Sequence, residues 1–384
     1  MSELLKNIKG DKVIWMVVIL LSAFSVLAVY SSSSSLAYRI QAGNTEHYLV
    51  RHTIILLVGL ALMVLTHRIP YHIFARLSLI GMVLVIPLLL MTLMAGTRLN
   101  EASRWLMLPV VNISFQTSDL AKVVLILFTA RMITKREEVI KDFRNGFVHI
   151  LIPVMAVCLL ILPANFSTAA LLFLSCTVMM YIGKVSLKHL LATGGIAVAI
   201  LSIFVFFLLQ TESQGRFGTW KARIEHFVQG DEEDNYQVEQ AKIAIATGGV
   251  FGKAPGNSSQ RNFLPHPYSD FIFAIIIEEY GLIGAGVVIL LYLILLFRGV
   301  RITLKSPTQF AGLVAFGLTF SIVFQAFVNM AVAVNLFPVT GQPLPLVSMG
   351  GTSILFTSVS IGILLSISRQ IELNQNPVSD AETS

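Results

Sequence analysis

Ten stretches of this 384-residue chain are apolar over lengths close to what an α-helix needs to cross a bilayer. They lie at about 13–31, 50–66, 73–95, 117–133, 147–164, 166–183, 189–209, 270–298, 308–335 and 350–368. A spanning helix takes roughly 20 such residues, with a range of about 17 to 25. The second stretch is short, ending before His67, and the fourth carries Asp119 and Lys122. A scan for hydropathy alone would miss the fourth; it is kept because omitting it puts the basic loops that follow on the wrong side. Hydrophobic residues make up 55% of the chain and charged ones 12%, against about 25% charged in an average soluble domain. The mean hydropathy is +0.78. Lipid must be the solvent for so much apolar surface. The expected fold is an all-α polytopic membrane protein with ten transmembrane helices.

Basic residues orient the spans. With the N-terminus inside, the inner segments hold Lys6, Lys9, Lys12, Arg68, Arg76, Arg131, Lys135, Arg136, Lys141, Arg144, Lys184, Lys188, Arg298, Arg301, Lys305 and Arg369. The short outer segments hold only Arg39, Arg51, Arg98 and Arg104. Both termini are therefore expected in the cytoplasm. A long extracytoplasmic loop, about 210–269, separates the seventh and eighth spans; long loops determine topology weakly. The net charge of +6 comes in short clusters rather than one basic face. That favours membrane orientation over nucleic-acid binding, and no nucleic acid partner is expected.

The first apolar run has no A-x-A type of cleavage site after it, so it reads as a retained helix, with Ser31 to Ser35 beginning an outer loop. Cys158 and Cys176 sit in apolar runs without metal-site spacing and read as core residues. Residues 1–370 are expected to form a single transmembrane domain and 371–384 a disordered cytoplasmic tail. No internal repeat points to a transporter built from two related halves.

Polar residues inside a membrane are costly, which makes function their default reading. Four groups stand out. The first runs from Gly96 to Lys122, with Asn100, Arg104, Trp105, Gln116, Ser118, Asp119 and Lys122. Asp119 and Lys122 share a helix face at spacing i,i+3. Two readings stay open: an ion pair that locks the helix into the bundle, or a lysine beside a buried anion, held there by Asp119. Ser118 and Asp119 also suit a helix N-terminus.

The second group is the loop from Gln210 to Ser269. Trp220, Arg223, Ile224, Phe227 and then Val238, Ala241, Ile245 recur at helical spacing, which predicts two short amphipathic helices on the membrane surface. The acidic run from Asp231 to Asp234 reads as a solvated turn between them. The glycine-rich stretch from Ala246 to Lys253 lacks the preceding strand and the G-K-[ST] ending of a P-loop.

The third group is Leu264-Pro265-His266-Pro267-Tyr268-Ser269-Asp270-Phe271, followed by Glu278 and Glu279. Ser269 and Asp270 are expected to open an apolar helix, where its dipole favours a carboxylate. Glu278 and Glu279 lie two turns deeper; at least one must face protein, tying helices together by hydrogen bonds. The fourth group is the segment from Phe337 to Ser353, whose prolines and glycines cannot continue a helix. Non-helical backbone at membrane depth is tolerated only where protein or a cavity covers it. Asn329, on the preceding helix, is expected to face the same cavity.

In this order, the groups resemble the SEDS family of bacterial cell-wall proteins (shape, elongation, division and sporulation), nearer its division branch than its elongation branch. The likeness rests on Arg104-Trp105, Gln116 to Lys122, Tyr236-Gln237, Ala244 to Gly252, Ser269 to Ala274, Glu278 to Gly284, Asn329, and Pro338 to Ser353. It covers nearly the whole chain, and the ordered set is specific where no single motif is. Where the family often has Q-P-S-E, this chain has Gln116-Thr117-Ser118-Asp119. Where it often has L-P-E-x-H-T-D, the acidic residue and the histidine are replaced and Asp270 is kept. A glutamine is usual where Arg51-His52 stand.

The resemblance implies a SEDS-type domain with peptidoglycan glycosyltransferase activity. The substrate would be lipid II, added to the nascent glycan strand at the outer face of the cytoplasmic (inner) membrane, at the division septum. The implied partners are a class B penicillin-binding protein, which supplies transpeptidation, and other divisome membrane proteins. In such a transfer Asp270 can serve as general base. Cations must stabilise the pyrophosphate leaving group; Lys122, Arg104, Arg216 and Arg223 are candidates. Asp119, Gln116, Asn329, Ser348, Gly350, Gly351 and Ser353 complete the expected substrate-binding set. A divalent cation, Mg or Mn, is a candidate cofactor because pyrophosphate binds such ions, with no protein ligands assigned; no organic cofactor is expected. The rival readings are a lipid II flippase or other transporter, an elongation-type polymerase, and a catalytically silent scaffold for division proteins.

Overall fold

The computed structural model describes residues 9–40, 45–95, 97–99, 102–108, 113–210, 218, 220–221, 224, 236–264 and 267–375. Every one of the ten apolar stretches is helical. In chain order the helices are α1 (Lys12–Ile40), α2 (Thr45–Arg68), α3 (Tyr71–Ala95), α4 (Thr117–Lys135), α5 (Val148–Ile161), α6 (Phe166–Ile182) and α7 (Leu187–Gln210). They continue with α8 (Tyr236–Gly248), α9 (Ile272–Lys305), α10 (Gln309–Ala333) and α11 (Gly351–Gln375). Among the described residues, eight helices are long and apolar enough to cross a membrane, α5 counted together with the π-helical turn Phe143–Phe147 that leads into it, so the chain is a polytopic helical membrane protein. The other two apolar stretches are α6, which is shorter, and α4, whose first turns carry Asp119 and Lys122. The spanning windows of α10 and α11 are each 67% buried inside the protein, whereas that of α7 is 6% buried. α10 and α11 are central and α7 is peripheral.

The structure refines five expectations. First, the fold is nearly all-helical, as expected, but with one small sheet besides the helices. Residues between α3 and α4 form an antiparallel sheet of three strands, β1 (Thr97–Leu99), β2 (Ala102–Leu108) and β3 (Ile113–Gln116), in the order β1-β2-β3. Trp105 pairs with Thr97 on one side and Gln116 on the other. This stretch has no helical period, and hairpin pairing satisfies its backbone groups instead. Second, Ser31 to Ser33 do not begin a loop. They continue α1 and are buried; Ser32 and Ser33 donate back to the carbonyls of Val29 and Tyr30, the usual way a helix absorbs serine.

Third, the helix after Asp270 begins at Ile272, its N-cap is Phe271, and no side chain caps it. Asp270 lies in the turn before it. Fourth, α11 runs on to Gln375, past the expected domain end at residue 370; the remaining tail lies outside the described residues. The expected surface helix around Val238 and Ala241 exists as α8, but Val238, Ala241 and Ala244 are buried in the protein core rather than turned to lipid. The helix expected around Arg223 and Phe227 falls almost wholly outside the described residues.

The glycine-rich stretch after α8 is a packing device. Gly281 interrupts α9 with φ +66° and ψ −168°. The freed amides of Leu282 and Ile283 donate to the carbonyls of Gly249 and Val250 at 3.0 and 3.3 Å, and Lys253 N donates to Glu278 O at 2.9 Å. A Cβ on Gly281 would lie 2.1 Å from the Val250 oxygen, and one on Gly252 would lie 2.3 Å from the Glu279 oxygen. Only glycine lets the two backbones approach this closely. The half-helix ahead of the break is buried all round from Ile272 to Glu279.

Both expected glutamates do tie segments together. Glu278 accepts from Lys253 Nζ at 2.7 Å, from Ser258 Oγ, and from Ser259 N and Oγ at 3.1 and 3.0 Å. Glu279 accepts from Ser31 Oγ of α1 and from Ser258 N. Gly281→Ala should therefore destabilise the protein by about 1–3 kcal/mol or more, since it adds a clash to a left-handed conformation. Thermal unfolding of the purified variant in detergent should show a clearly lowered midpoint; a midpoint equal to the parent's would mean that the break does not need glycine.

Candidate active site

The segment between α10 and α11 enters the bundle without regular structure, so its carbonyls need side-chain donors. They come from several helices. Asn329 Nδ2 donates to Gln342 O at 2.7 Å and to Asp270 O at 2.9 Å. Gln325 Nε2 donates to Pro343 O at 2.9 Å. Tyr292 OH, on α9, donates to Pro345 O, and Ser25 Oγ, on α1, to Val347 O at 2.8 Å. Gln342 Nε2 in turn donates to Thr168 Oγ1 of α6 at 2.8 Å. Gln325 and Asn329 are four residues apart, on one face of α10.

These contacts fix the turn that carries Asp270. Ser348 Oγ donates to Ser269 O at 2.6 Å, and Met349 N donates to Tyr268 O at 2.9 Å. With the Asn329 bond, three consecutive carbonyls, 268 to 270, are held by the 338–353 segment and α10. The Asp270 side chain is half-buried and accepts from Ser269 Oγ at 2.9 Å. Its carboxylate thus keeps lone pairs for a further partner. Burial, with Tyr48 and the Asp270 charge nearby, pushes the Tyr268 phenol above its ordinary range.

One turn of α10 away, Lys122 Nζ donates to Gln325 Oε1 at 3.1 Å and pairs with Asp119 at 2.9 Å. Thr352 Oγ1, at the start of α11, donates to the other Asp119 oxygen at 3.3 Å. Asp119, Lys122 and Gln325 line a cleft together with Ser321, Ser353, Thr357 and Ser360. Asp119 is buried, and the Lys122 side chain keeps 16% of its exposure.

The other expected site residues fall in different places. Gln116 is the N-cap of α4, and its amide donates to Ser118 Oγ at 3.0 Å. Asn329 and Ser348 are 1% exposed and spend their hydrogen bonds on backbone. Gly350 and Gly351 stand at the start of α11, next to Ser353 in the cleft wall. Arg104 lies in β2 beside Trp105, and its side chain lies outside the described residues, as do Arg216 and Arg223. Asp270 does not line the cleft; a hydrogen-bonded chain through Asn329, Gln342, Pro343 and Gln325 links the two. Among the described residues no three His, Cys, Asp or Glu side chains are grouped to hold a metal ion, so no ligand set is assigned.

Sequence reasoning passes over Gln325 and Thr168, and takes Gln342 and Thr352 only as members of the 337–353 segment. Gln325 is legible after the fact as a polar residue one turn before Asn329 in an otherwise apolar helix. Thr168 gives no signal, because its role depends on which helix faces Gln342.

The family model described as "Cell cycle protein", for FtsW, RodA and SpoVE, matches residues 11–373. A probable peptidoglycan glycosyltransferase FtsW from Geobacter sulfurreducens is 32% identical over 370 residues, covering 94% of this chain and 96% of the relative. Stage V sporulation protein E of Bacillus subtilis is 31% identical over 372 residues, covering 95% and 98%. Two solved structures share the fold. One is a chain of a peptidoglycan synthase complex that coordinates polymerization and crosslinking, with TM-score 0.75 and 23% identity over 94% of this chain and 98% of that one. The other is the rod shape determining protein RodA of Thermus thermophilus, with TM-score 0.66 and 24% identity over 95% and 98%.

Lys122→Met strands a buried carboxylate. Breaking such a pair from one side costs about 3–5 kcal/mol, whereas replacing both partners by apolar groups is often neutral. The single variant should lose thermal stability in detergent and Asp119→Leu/Lys122→Met should regain most of it. A single variant with the parent's melting point would mean that the pair with Asp119 does not hold α4 in the bundle.

Proposed function

Because the chain belongs to the FtsW/RodA/SpoVE family of cell cycle proteins, the SEDS family, we propose that it is a peptidoglycan glycosyltransferase that polymerises lipid II, with Asp270 as general base. The observation that carries this reading is the fixing of residues 268–270 by three hydrogen bonds while the Asp270 carboxylate keeps a free bonding capacity. A backbone so held orients a carboxylate without consuming it, as a general base requires. The names of the relatives support the activity.

In the proposed step a sugar hydroxyl of one chain attacks the anomeric carbon of the other. Asp270 takes the hydroxyl proton as the new C–O bond forms. The bond from the anomeric carbon to the phosphate oxygen breaks, and its electron pair leaves with undecaprenyl pyrophosphate. Pyrophosphate leaves without protonation, so one carboxylate suffices. Base and leaving group lie on opposite faces of the sugar, as inversion demands. Lys122, with Arg104, Arg216 and Arg223, stabilises the departing charge. A divalent cation on the pyrophosphate would add to that charge stabilisation. Asp119, Gln116, Gly350, Gly351 and Ser353 shape the approach, and Asn329 and Ser348 hold the Asp270 turn.

In this reading all ten apolar helices cross the cytoplasmic membrane, both termini are cytoplasmic, and the residues around Asp270 face the outside. The excess of Lys and Arg in the segments assigned inside supports that orientation. The partner is a class B penicillin-binding protein, in keeping with the synthase complex that shares this fold, and the site of action is the division septum, in keeping with the FtsW relatives. A transport reading has one observation of its own: Ser353, Thr357 and Ser360 carry the polar wall of the cleft down α11, over about 10 Å.

Asp270→Asn should abolish glycan polymer formation from lipid II by the purified protein with its transpeptidase partner, while leaving its melting temperature and partner binding unchanged. Polymer from the variant would overturn the base assignment. Headgroup transfer across vesicles by the parent protein, with no polymer, would turn the reading to transport.

A further inference from the structure

His52, on α2, is 1% exposed and has no part in the proposed chemistry. Its Nε2 lies 2.7 Å from Ser25 Oγ on α1, and Ser25 Oγ lies 2.8 Å from Val347 O. Counting protons orients this chain. A carbonyl can only accept, so the single hydroxyl hydrogen of Ser25 goes to Val347 O. The hydrogen between Ser25 and His52 must then come from Nε2–H. His52 Nδ1 has no hydrogen-bond partner. The one described hydrogen bond of this buried ring is therefore spent on directing a serine hydroxyl.

Ser25 needs directing. A serine inside a helix normally donates back to a carbonyl three or four residues earlier, as Ser32 and Ser33 do on the same helix. Ser25 points across to the 338–353 segment instead. Its acceptor there follows a strained residue: Leu346 has φ +63°, a left-handed conformation that a leucine keeps only where its surroundings impose it. Leu344 N donates to Ser348 Oγ at 2.8 Å to close the same turn, and the Ser348 hydroxyl hydrogen goes to Ser269 O at 2.6 Å.

We propose that His52 is a positioning residue for Asp270. It acts through Ser25 on the Val347 carbonyl, which sets the strained 344–348 turn and so places the Ser348 and Met349 donors on the carbonyls of Ser269 and Tyr268. This rests on the reading of Asp270 as the reacting group. An imidazole in this role works by its Nε2–H alone, so a glutamine amide can replace it and an apolar side chain cannot.

The test is steady-state polymerisation of lipid II by the purified full-length protein with its transpeptidase partner. His52→Leu and Ser25→Ala should each lower kcat about tenfold or more, since small displacements of a reacting group are costly, with KM within about twofold. The double variant should be no worse than either single one, because both break the same chain. His52→Gln should return kcat to within about threefold of the parent. A parent-like kcat in His52→Leu, an effect on KM alone, or a glutamine variant as poor as leucine would overturn the proposal. Should His52→Leu fail to fold, Ser25→Ala and His52→Gln still decide it by the same criteria. Nitrogen-15 spectra of the histidine rings give a readout independent of turnover: His52 should show a protonated Nε2 and a bare Nδ1, and this signature should change in Ser25→Ala. A ring protonated only at Nδ1 overturns the relay, whereas a parent protein that makes no polymer yet shows the expected ring signature overturns the enzyme reading instead.

Discussion

Carbonyl groups that no regular structure can satisfy govern the centre of this protein. The segment from Pro338 to Gly350 is not helical, yet it lies among helices that are long and apolar enough to cross a membrane. Each unpaired group there would cost several kcal/mol. Asn329, Gln325, Tyr292 and Ser25 meet the carbonyls of Gln342, Pro343, Pro345 and Val347. These donors come from α1, α9 and α10, so satisfying one irregular segment draws three helices to a common point. The same segment then holds the carbonyls of Tyr268 and Ser269. Asp270 is placed by the backbone around it more than by contacts to its own carboxylate.

A second seam works by close approach rather than by side-chain donors. α9 is broken at Gly281, and the stretch from Gly249 to Lys253 supplies the backbone partners that the break leaves without bonds. Glu278 and Glu279, at the end of the buried half-helix, gather the turn from Lys253 to Ser259 and α1. Hydrogen-bonded backbone thus flanks Asp270 on both sides. Glycines and glutamates that look like chemistry in a list of motifs are here the means by which two backbones are held together.

Much of the fold is legible in the sequence because lipid imposes a length and a composition on each span. All ten apolar stretches are helices, and the stretch with Asp119 and Lys122, which hydropathy alone would discard, is α4. The sheet at residues 97–116 was not legible, since its strands are short and are defined by pairing with one another. Nor was the true start of α9 at Ile272: Ser269 and Asp270 have the composition of a cap, but the 338–353 segment engages the carbonyls of that turn and no side chain caps the helix. The serines at 31–33 look like a loop by composition and are helix because Glu279 and their own preceding carbonyls absorb the hydroxyls.

For the site, spacing along the chain was enough to pair Asp119 with Lys122, because i,i+3 on a helix fixes their proximity. Asp270 and the proline-glycine segment likewise stand out by composition, since polar and non-helical residues are costly in lipid, and the structure joins them through the carbonyls of Tyr268 and Ser269. What the sequence could not determine is who answers whom across the bundle. His52 to Ser25, Ser25 to Val347, Gln342 to Thr168 and Lys122 to Gln325 join residues far apart in the chain. Those pairings depend on the rotation and packing of whole helices, and only the tertiary structure decides them.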